Sequence, residues 1–508
     1  MARIVVIGAG MGAMAAAARL AVAGHRVVVH ERSGTYGGAL GSVGRDGFSF
    51  DTGPGLLHLP AVYRDLFVKT GKEPLEQCVE LSQVEPAVRH VFADGKAVDL
   101  PNASRAGVGE ALDAALGGDA GALWSGYMNR AREAWDRTRR PLLEEPLWPN
   151  WRVLAEREPY PSVPHKRLLR RDLRATTLTG VGELELGGDA RLLALLEQYA
   201  LAWGLDPRTT PASAAVLPYM EHTFGAWSVR GGMRALARAV YERCLARRVE
   251  FAFDSPVARI IEKDGRAAGV ELADGTAQEA DFVVAGVAPG ALDGLLSGVS
   301  GMPGASGVNI RAEGEVQARS GLPSRLMIFL ALRDARPDGT PHRTVLHTSD
   351  RRDELDRVFG DQPGLPQAPT LTVLRPADPA LVPDAGHEAL TLTVTVPAHT
   401  EVTAADVERL IDRAGSVVPR LRERLLWHEV HAPADIAGAT GADGGAVPPP
   451  SLAAGEGRLL HPANGTGLPG LFAAGGWAHP GGGLAHAGMS GTLVAGLIVE
   501  GPEFRGSQ

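Results

Sequence analysis

Apolar positions in this chain follow two rhythms. Short uninterrupted apolar runs predict buried strands, and longer mixed stretches predict helices. Residues 4–7, IVVI, form the first run and suit a strand covered on both faces. A block of glycine and alanine follows, with four consecutive alanines at 15–18, and predicts a helix ending near Gly24, a plausible position just past a C-cap. Residues 27–29 return to strand. Residues 88–92 and 97–100 flank Asp94-Gly95 and read as a hairpin. Helix formers then dominate to about residue 217, most clearly at 105–116, 120–140 and 190–201. Strands are predicted at 249–253, 256–261, 269–272 and 281–286, then at 325–332, 343–347, 370–374 and 390–396. The last alternates Thr with Leu or Val, which predicts one buried and one wetter face. Residues 404–418 read as a helix with Thr403 as N-cap, and 438–457 as a Gly- and Pro-rich loop. A small-residue helix closes the chain through Ile498.

The chemistry begins between the first strand and the first helix. Gly8-Ala9-Gly10-Met11-Gly12-Ala13 is a G-x-G-x-x-A turn. Gly8 permits the sharp turn, Gly10 allows the backbone to touch a pyrophosphate, and Ala13 lets the helix pack closely on the strand. Glu31 follows the second strand, about 20 residues on, where an acid binds the ribose hydroxyls of an unphosphorylated dinucleotide. The turn alone is weak evidence in so Gly- and Ala-rich a chain, but the whole strand–turn–helix–strand–acid unit is specific. A secretory signal does not fit, because the glycine turn interrupts the apolar run and a strand follows without a cleavage region.

Composition narrows the picture. A chain of 508 residues exceeds one ordinary core, so two domains or large insertions are expected. A net charge of −8 gives no general attraction for nucleic acid. Cys78 and Cys244 lie in no metal or redox spacing, so two free thiols in a cytoplasmic chain are expected, and no metal site. No stretch approaches the ~20 apolar residues of a membrane span, so any membrane contact is peripheral. The basic run at 164–171, extending to 174, reads either as a solvated arginine face or as a face for anionic lipid.

Four further motifs carry a family resemblance. After Glu31-Arg32 comes Gly37-Gly38-Ala39-Leu40, and then Gly47-Phe48-Ser49-Phe50-Asp51-Thr52-Gly53-Pro54-Gly55. Residues 225–233, GAWSVRGGM, follow mid-chain. Residues 468–484, LPGLFAAGGWAHPGGGL, lead into the last helix. The chain resembles the phytoene desaturase (carotenoid dehydrogenase) branch of the FAD-dependent amine-oxidase-like superfamily. One departure is Ala39, where that family has an arginine that helps to hold the cofactor phosphates; backbone N–H groups can do the same job.

The resemblance implies an α/β fold: a Rossmann-like FAD-binding domain of glutathione reductase type with an inserted α+β substrate-binding domain. The first would comprise residues 1–70, 225–300 and 433–508, the second 71–224 and 301–432. FAD would meet Gly8, Gly10, Met11, Gly12, Ala13, Glu31, Arg32, Gly38, Ala39, Leu40, Gly53, Pro54 and Gly55. Val257 would meet the adenine through its backbone, and Gly475, Gly476, Gly483 and Leu484 would lie at the flavin end. The implied activity is dehydrogenation of a small apolar substrate, polyene or isoprenoid, with hydride passing to flavin. A related flavoenzyme of secondary metabolism, oxidising, isomerising or reductively cyclising another substrate, is the alternative, and a flavin amine oxidase a third. Escort proteins of prenylated GTPases share the fold without flavin; Glu31 and the closing glycines argue against that reading. His479 and Trp477 are the candidate catalytic residues, with His479 equally readable as a packing or hydrogen-bonding group. Glu221, His222 and His486 read more readily as structural. Oligomeric state is not set by the sequence.

Overall fold

A computed structural model describes residues 1–148, 150–163, 172–297 and 321–506. The basic run at 164–171 lies outside them, as do the stretches around residue 300 at which two of the expected segments meet.

Five strands form a parallel sheet in the order Glu250–Ala252, Arg26–His30, Arg3–Ile7, Phe282–Ala285 and Leu471–Ala473. The sheet therefore gathers segments from both ends and the middle of the chain. Helix Met11–Val22 crosses between the first two strands, and helices Met233–Ala246 and Leu484–Glu500 pack on it. The small residues explain how close the last helix comes. A Cβ on Gly491 would lie 2.3 Å from the Gly12 carbonyl oxygen and 2.8 Å from the Ala16 nitrogen. Cys244 is buried beneath this layer with its thiol pushed up to about 12 by desolvation, and Cys78 is exposed; both are free.

A second, seven-stranded sheet runs in the order Leu425–His431, Ser324–Arg333, His387–Val396, Leu371–Leu374, Arg343–Leu346, Val88–Val91 and Ala97–Leu100. Helix Ala404–Ala414 shares a core with it and starts in a capping box between Thr403 and Asp406. The predicted hairpin forms the sheet's edge. Helices Arg105–Leu116, Ala120–Arg139, Ala190–Ala202 and Val216–Phe224 make a separate layer around Trp124 and Tyr127. A small sheet of Leu57–His58, Ala226–Val229 and Leu81–Gln83 lies between.

Two expectations change. The threonine face of residues 390–396 is wetter than the other, but only slightly: Thr393 is half-buried, Thr391 and Thr395 are both 8% exposed, and Thr395 donates its hydroxyl hydrogen bond to the Leu201 carbonyl. The helical layer covers the side that alternation had marked as polar. The loop expected from 438 begins later, because helix Pro433–Thr440 runs into it, started by Pro433 and by Asp435 accepting from the Ala432 N–H.

Candidate functional site

The first turn, Glu31 and the loop at 37–40 come together at one end of the parallel sheet. Gly8 has φ +90°, and a Cβ there would lie 3.1 Å from the Gly286 carbonyl oxygen. Glu31 accepts from the Ala9 N–H at 2.7 Å and from the Ser33 N–H and hydroxyl, each at 2.9 Å. Its carboxylate thus stands against the turn. Gly37 bridges to Gly10 and donates to the Ala9 carbonyl at 2.8 Å. Gly38 has φ +58° and faces the Gly10 Cα. Ala13 packs against Gly286, whose Cβ would come within 2.8 Å of its own.

The closing glycines join this end. A Cβ on Gly12 would lie 2.7 Å from the Gly475 Cα. Cβ atoms on Gly10 and on Gly475 would instead meet nothing within 4 Å. This is a cradle suited to a dinucleotide: the chain is tight where elements must touch and open where a ligand must approach. Gly53 packs against the loop at 37–40, since its Cβ would meet the Ala39 carbonyl oxygen at 2.4 Å. Gly55 abuts Leu374, Pro54 is exposed and Leu40 is buried. Val257 opens strand Val257–Lys263, and Ser255 beside it donates to the Glu31 carbonyl. Gly476 abuts Pro448. Gly483, at φ +102°, caps the last helix, and the Leu484 carbonyl accepts from the buried Tyr63 hydroxyl at 2.8 Å.

Two expected contacts point elsewhere. Arg32 is exposed and donates to the Gly438 and Ala439 carbonyls, away from the turn. His479 is fully buried, and its Nε2 donates to the Glu145 carbonyl at 3.0 Å. Burial lowers its pKa to about 4. That ring ties the closing loop to the segment after helix Ala120–Arg139. Trp477 is half-buried.

Five other residues, Arg234, Asp51, Trp203, His58 and Arg343, support the site. Arg234, in the first turn of its helix, donates to the carbonyls of Tyr36 and Leu40 and to the Thr35 hydroxyl, and its guanidinium lies 4.1 Å from the Tyr36 ring centroid. A cation therefore supports the loop to which Ala39 contributes none. Below it, Asp51 accepts from the N–H groups of Met233 and Arg234 at 2.8 and 3.2 Å. Burial pushes the Asp51 carboxyl up to about 6 despite those two donors. Trp203 sets its indole over Gly483, 2.7 Å from where a Cβ would be. His58 and Arg343 flank Glu221 in the wall behind the turn at 53–55: Arg343 makes a forked ion pair with the Glu221 carboxylate, and His58 Nε2 lies 3.8 Å from it.

Residues 14–499 match the family of flavin containing amine oxidoreductases. The chain belongs to that family. Its cofactor is a flavin, and it is an oxidoreductase. Among curated relatives, a 4,4'-diapolycopene oxygenase of a Methylomonas species is 29% identical over 513 residues, covering 98% of each chain. A hydroxyneurosporene desaturase of Rubrivivax gelatinosus is 30% identical, over 98% of this chain and 93% of its own. A solved oxidoreductase of Methanosarcina mazei shares the fold with a TM-score of 0.61 at 17% identity, over 97% of this chain and 99% of its own. This flavin oxidoreductase thus has polyene-modifying relatives along its whole length. What local motifs could not show in it is the supporting set. Arg234, Trp203, His58 and Arg343 stand in unremarkable sequence and acquire meaning only from partners far along the chain. The nearest signal was Glu221, flagged as a lone polar residue without its partners.

Proposed function

We propose that the protein is an FAD-dependent dehydrogenase (desaturase) of a long apolar polyene or isoprenoid substrate. The observation that carries this is the cradle between the two ends of the chain. The first turn and Glu31 fit an unphosphorylated dinucleotide, and the open Gly475 beside Gly12 fits a ring system continuing from it. Full-length similarity to a desaturase and an oxygenase of polyenes supports the substrate class.

In this reading residues 1–70, 225–300 and 433–508 hold FAD, and residues 71–224 and 301–432 hold substrate. Gly8, Gly10, Met11, Gly12 and Ala13 carry the pyrophosphate, Glu31 the ribose, Val257 the adenine, and Gly53, Gly476, Gly483 and Leu484 border the flavin. The cofactor supplies the hydride acceptor. The chain's own contribution is to orient and to exclude water. Trp203 closes over Gly483, Tyr63 fixes the start of the last helix, and His479 ties down the closing loop. The amine oxidase alternative is weakened at Glu221, whose carboxylate is already neutralised by Arg343 and offers no unpaired charge to an ammonium. Purified protein should be yellow. Anaerobic addition of acyclic polyenes should bleach the flavin and addition of amines should not; bleaching by amines alone would replace this reading with the other.

A further inference from the structure

Three buried nitrogens of the helical layer have no hydrogen-bond partner: Arg105 Nε, Trp124 Nε1 and His222 Nδ1. They come from three helices, Arg105–Leu116, Ala120–Arg139 and Val216–Phe224, and their side chains line one cavity of about 120 Å³. That is room for a few waters or one small ion. No residue of the flavin cradle lines it. Trp124 and His222 are 1% and 5% exposed, and their rings lie 5.8 Å apart.

All three nitrogens are donors. The indole and the guanidinium carry N–H groups by nature. For the imidazole the Tyr199 hydroxyl decides. It lies 2.8 Å from His222 Nε2 and 3.5 Å from Glu221 Oε1, so its one proton goes to the nearer acceptor. Burial lowers the His222 pKa to about 4, which keeps the ring neutral. A neutral ring that accepts at Nε2 carries its own proton on Nδ1.

The charge is one-sided too. Arg105 gives Nη2 to a neutral partner, Asn129 Oδ1 at 2.7 Å, and its guanidinium lies 5.7 Å from the Tyr219 ring centroid. Among the described residues no carboxylate pairs with it. Glu221, next to His222 in the chain, is already taken by Arg343. Arg105 and Ala106 also open their helix, so its positive end lies at the cavity. Water there could accept from the three N–H groups, but among the lining side chains only the Ser125 hydroxyl could accept from it in turn. An anion accepts from all three and needs no acceptor.

We propose that this cavity binds a small monovalent anion, a halide or a carboxylate, held by the N–H groups of Arg105, Trp124 and His222. The inference is independent of the substrate assigned above. The ion fastens three helices of the helical layer to one another.

Nuclear magnetic resonance of the holoenzyme, isotope-labelled at the indole nitrogens, tests it with one signal for each of eight tryptophans. Sodium chloride or sodium formate replaces sodium gluconate at constant ionic strength, gluconate being too large for the cavity. The Trp124 signal, identified by its loss in Trp124→Phe, should move and saturate; response to chloride, to formate or to both tells which anion the site takes. Arg105→Gln should weaken binding by roughly tenfold or more. Arg105→Lys, which keeps the charge and loses the Nε donor, should weaken it less. No saturable shift with either salt would leave the cavity to water and overturn the site. A shift that gluconate gives equally, or binding unchanged in Arg105→Gln, would overturn it as well. Should Trp124→Phe fail to fold, saturation of one indole signal in the wild type and its weakening in Arg105→Gln still decide.

Discussion

Replacing Arg234 by alanine should loosen the cofactor without unfolding the protein. The guanidinium donates to two backbone carbonyls of the loop at 36–40, to one hydroxyl, and lies over the Tyr36 ring, which itself stacks on Tyr241 at 4.2 Å. Hydrogen bonds from a charged donor contribute about 1.5–3 kcal/mol each when buried. Arg234 is half-buried, so its carbonyl partners regain water on truncation, and about 1 kcal/mol for each of the two carbonyl bonds is a fairer figure. The ring contact adds roughly 0.5–1 kcal/mol. The total of about 2–3 kcal/mol holds a loop that touches Gly10 and Ala9. If that order has to be recovered on binding, FAD affinity should fall by roughly 30- to 100-fold. The helix itself should persist, because Asp51 caps it through backbone N–H groups and alanine is the better helix former. Titration of apoprotein with FAD, followed by quenching of flavin fluorescence, measures the change, and thermal melts of the apoprotein check the fold. Arg234→Lys should recover only part, since one ammonium can serve the two carbonyls that share Nη1 but cannot also reach the Thr35 hydroxyl met by Nη2. Ala39→Arg in the Arg234→Ala background should recover much of the loss by returning a cation to the loop. FAD affinity unchanged in Arg234→Ala would refute the reasoning.

Other outcomes follow from the same geometry. Glu31→Ala should fold but purify nearly colourless; wild-type flavin content would remove Glu31 from the ribose. Gly483→Val should lower flavin content or shift its visible spectrum, because a side chain there meets Trp203 and takes φ +102°; normal spectra and turnover would place the reacting ring elsewhere. His479→Ala should cost stability and loosen the closing loop, with turnover falling less than the two to four orders of magnitude that loss of an acid or base brings; a loss of that size with FAD still bound would assign it that role. Acid should destabilise the protein between about pH 6.5 and 4. His222, His342, His479 and His486 are lowered to about 4 by burial, and His347 to about 3. The unfolded chain binds protons there that the folded one refuses, so stability present above the ordinary histidine pKa is lost as pH falls. Urea midpoints unchanged from pH 7 to 5 would contradict those depressed values.

The legible half of the molecule is the half in which function depends on neighbours in sequence. A turn that must bend, admit a phosphate and pack a helix within six residues leaves its reasons in Gly8, Gly10 and Ala13, and strand spacing puts Glu31 beside them. Residues 390–396 show how far alternation carries: it marks the threonine side as the wetter one, and Thr393 is half-buried there, but only the folded chain shows a helical layer over part of it, with Thr395 satisfied by the Leu201 carbonyl. The supporting residues were illegible because their partners are remote. Arg234 meets a carbonyl 194 residues away, and Arg343 meets Glu221 across 122. Such partners are brought together by the register and order of the strands, as when Arg343 pairs beside Leu374 in the second sheet, and a local sequence pattern does not carry that register.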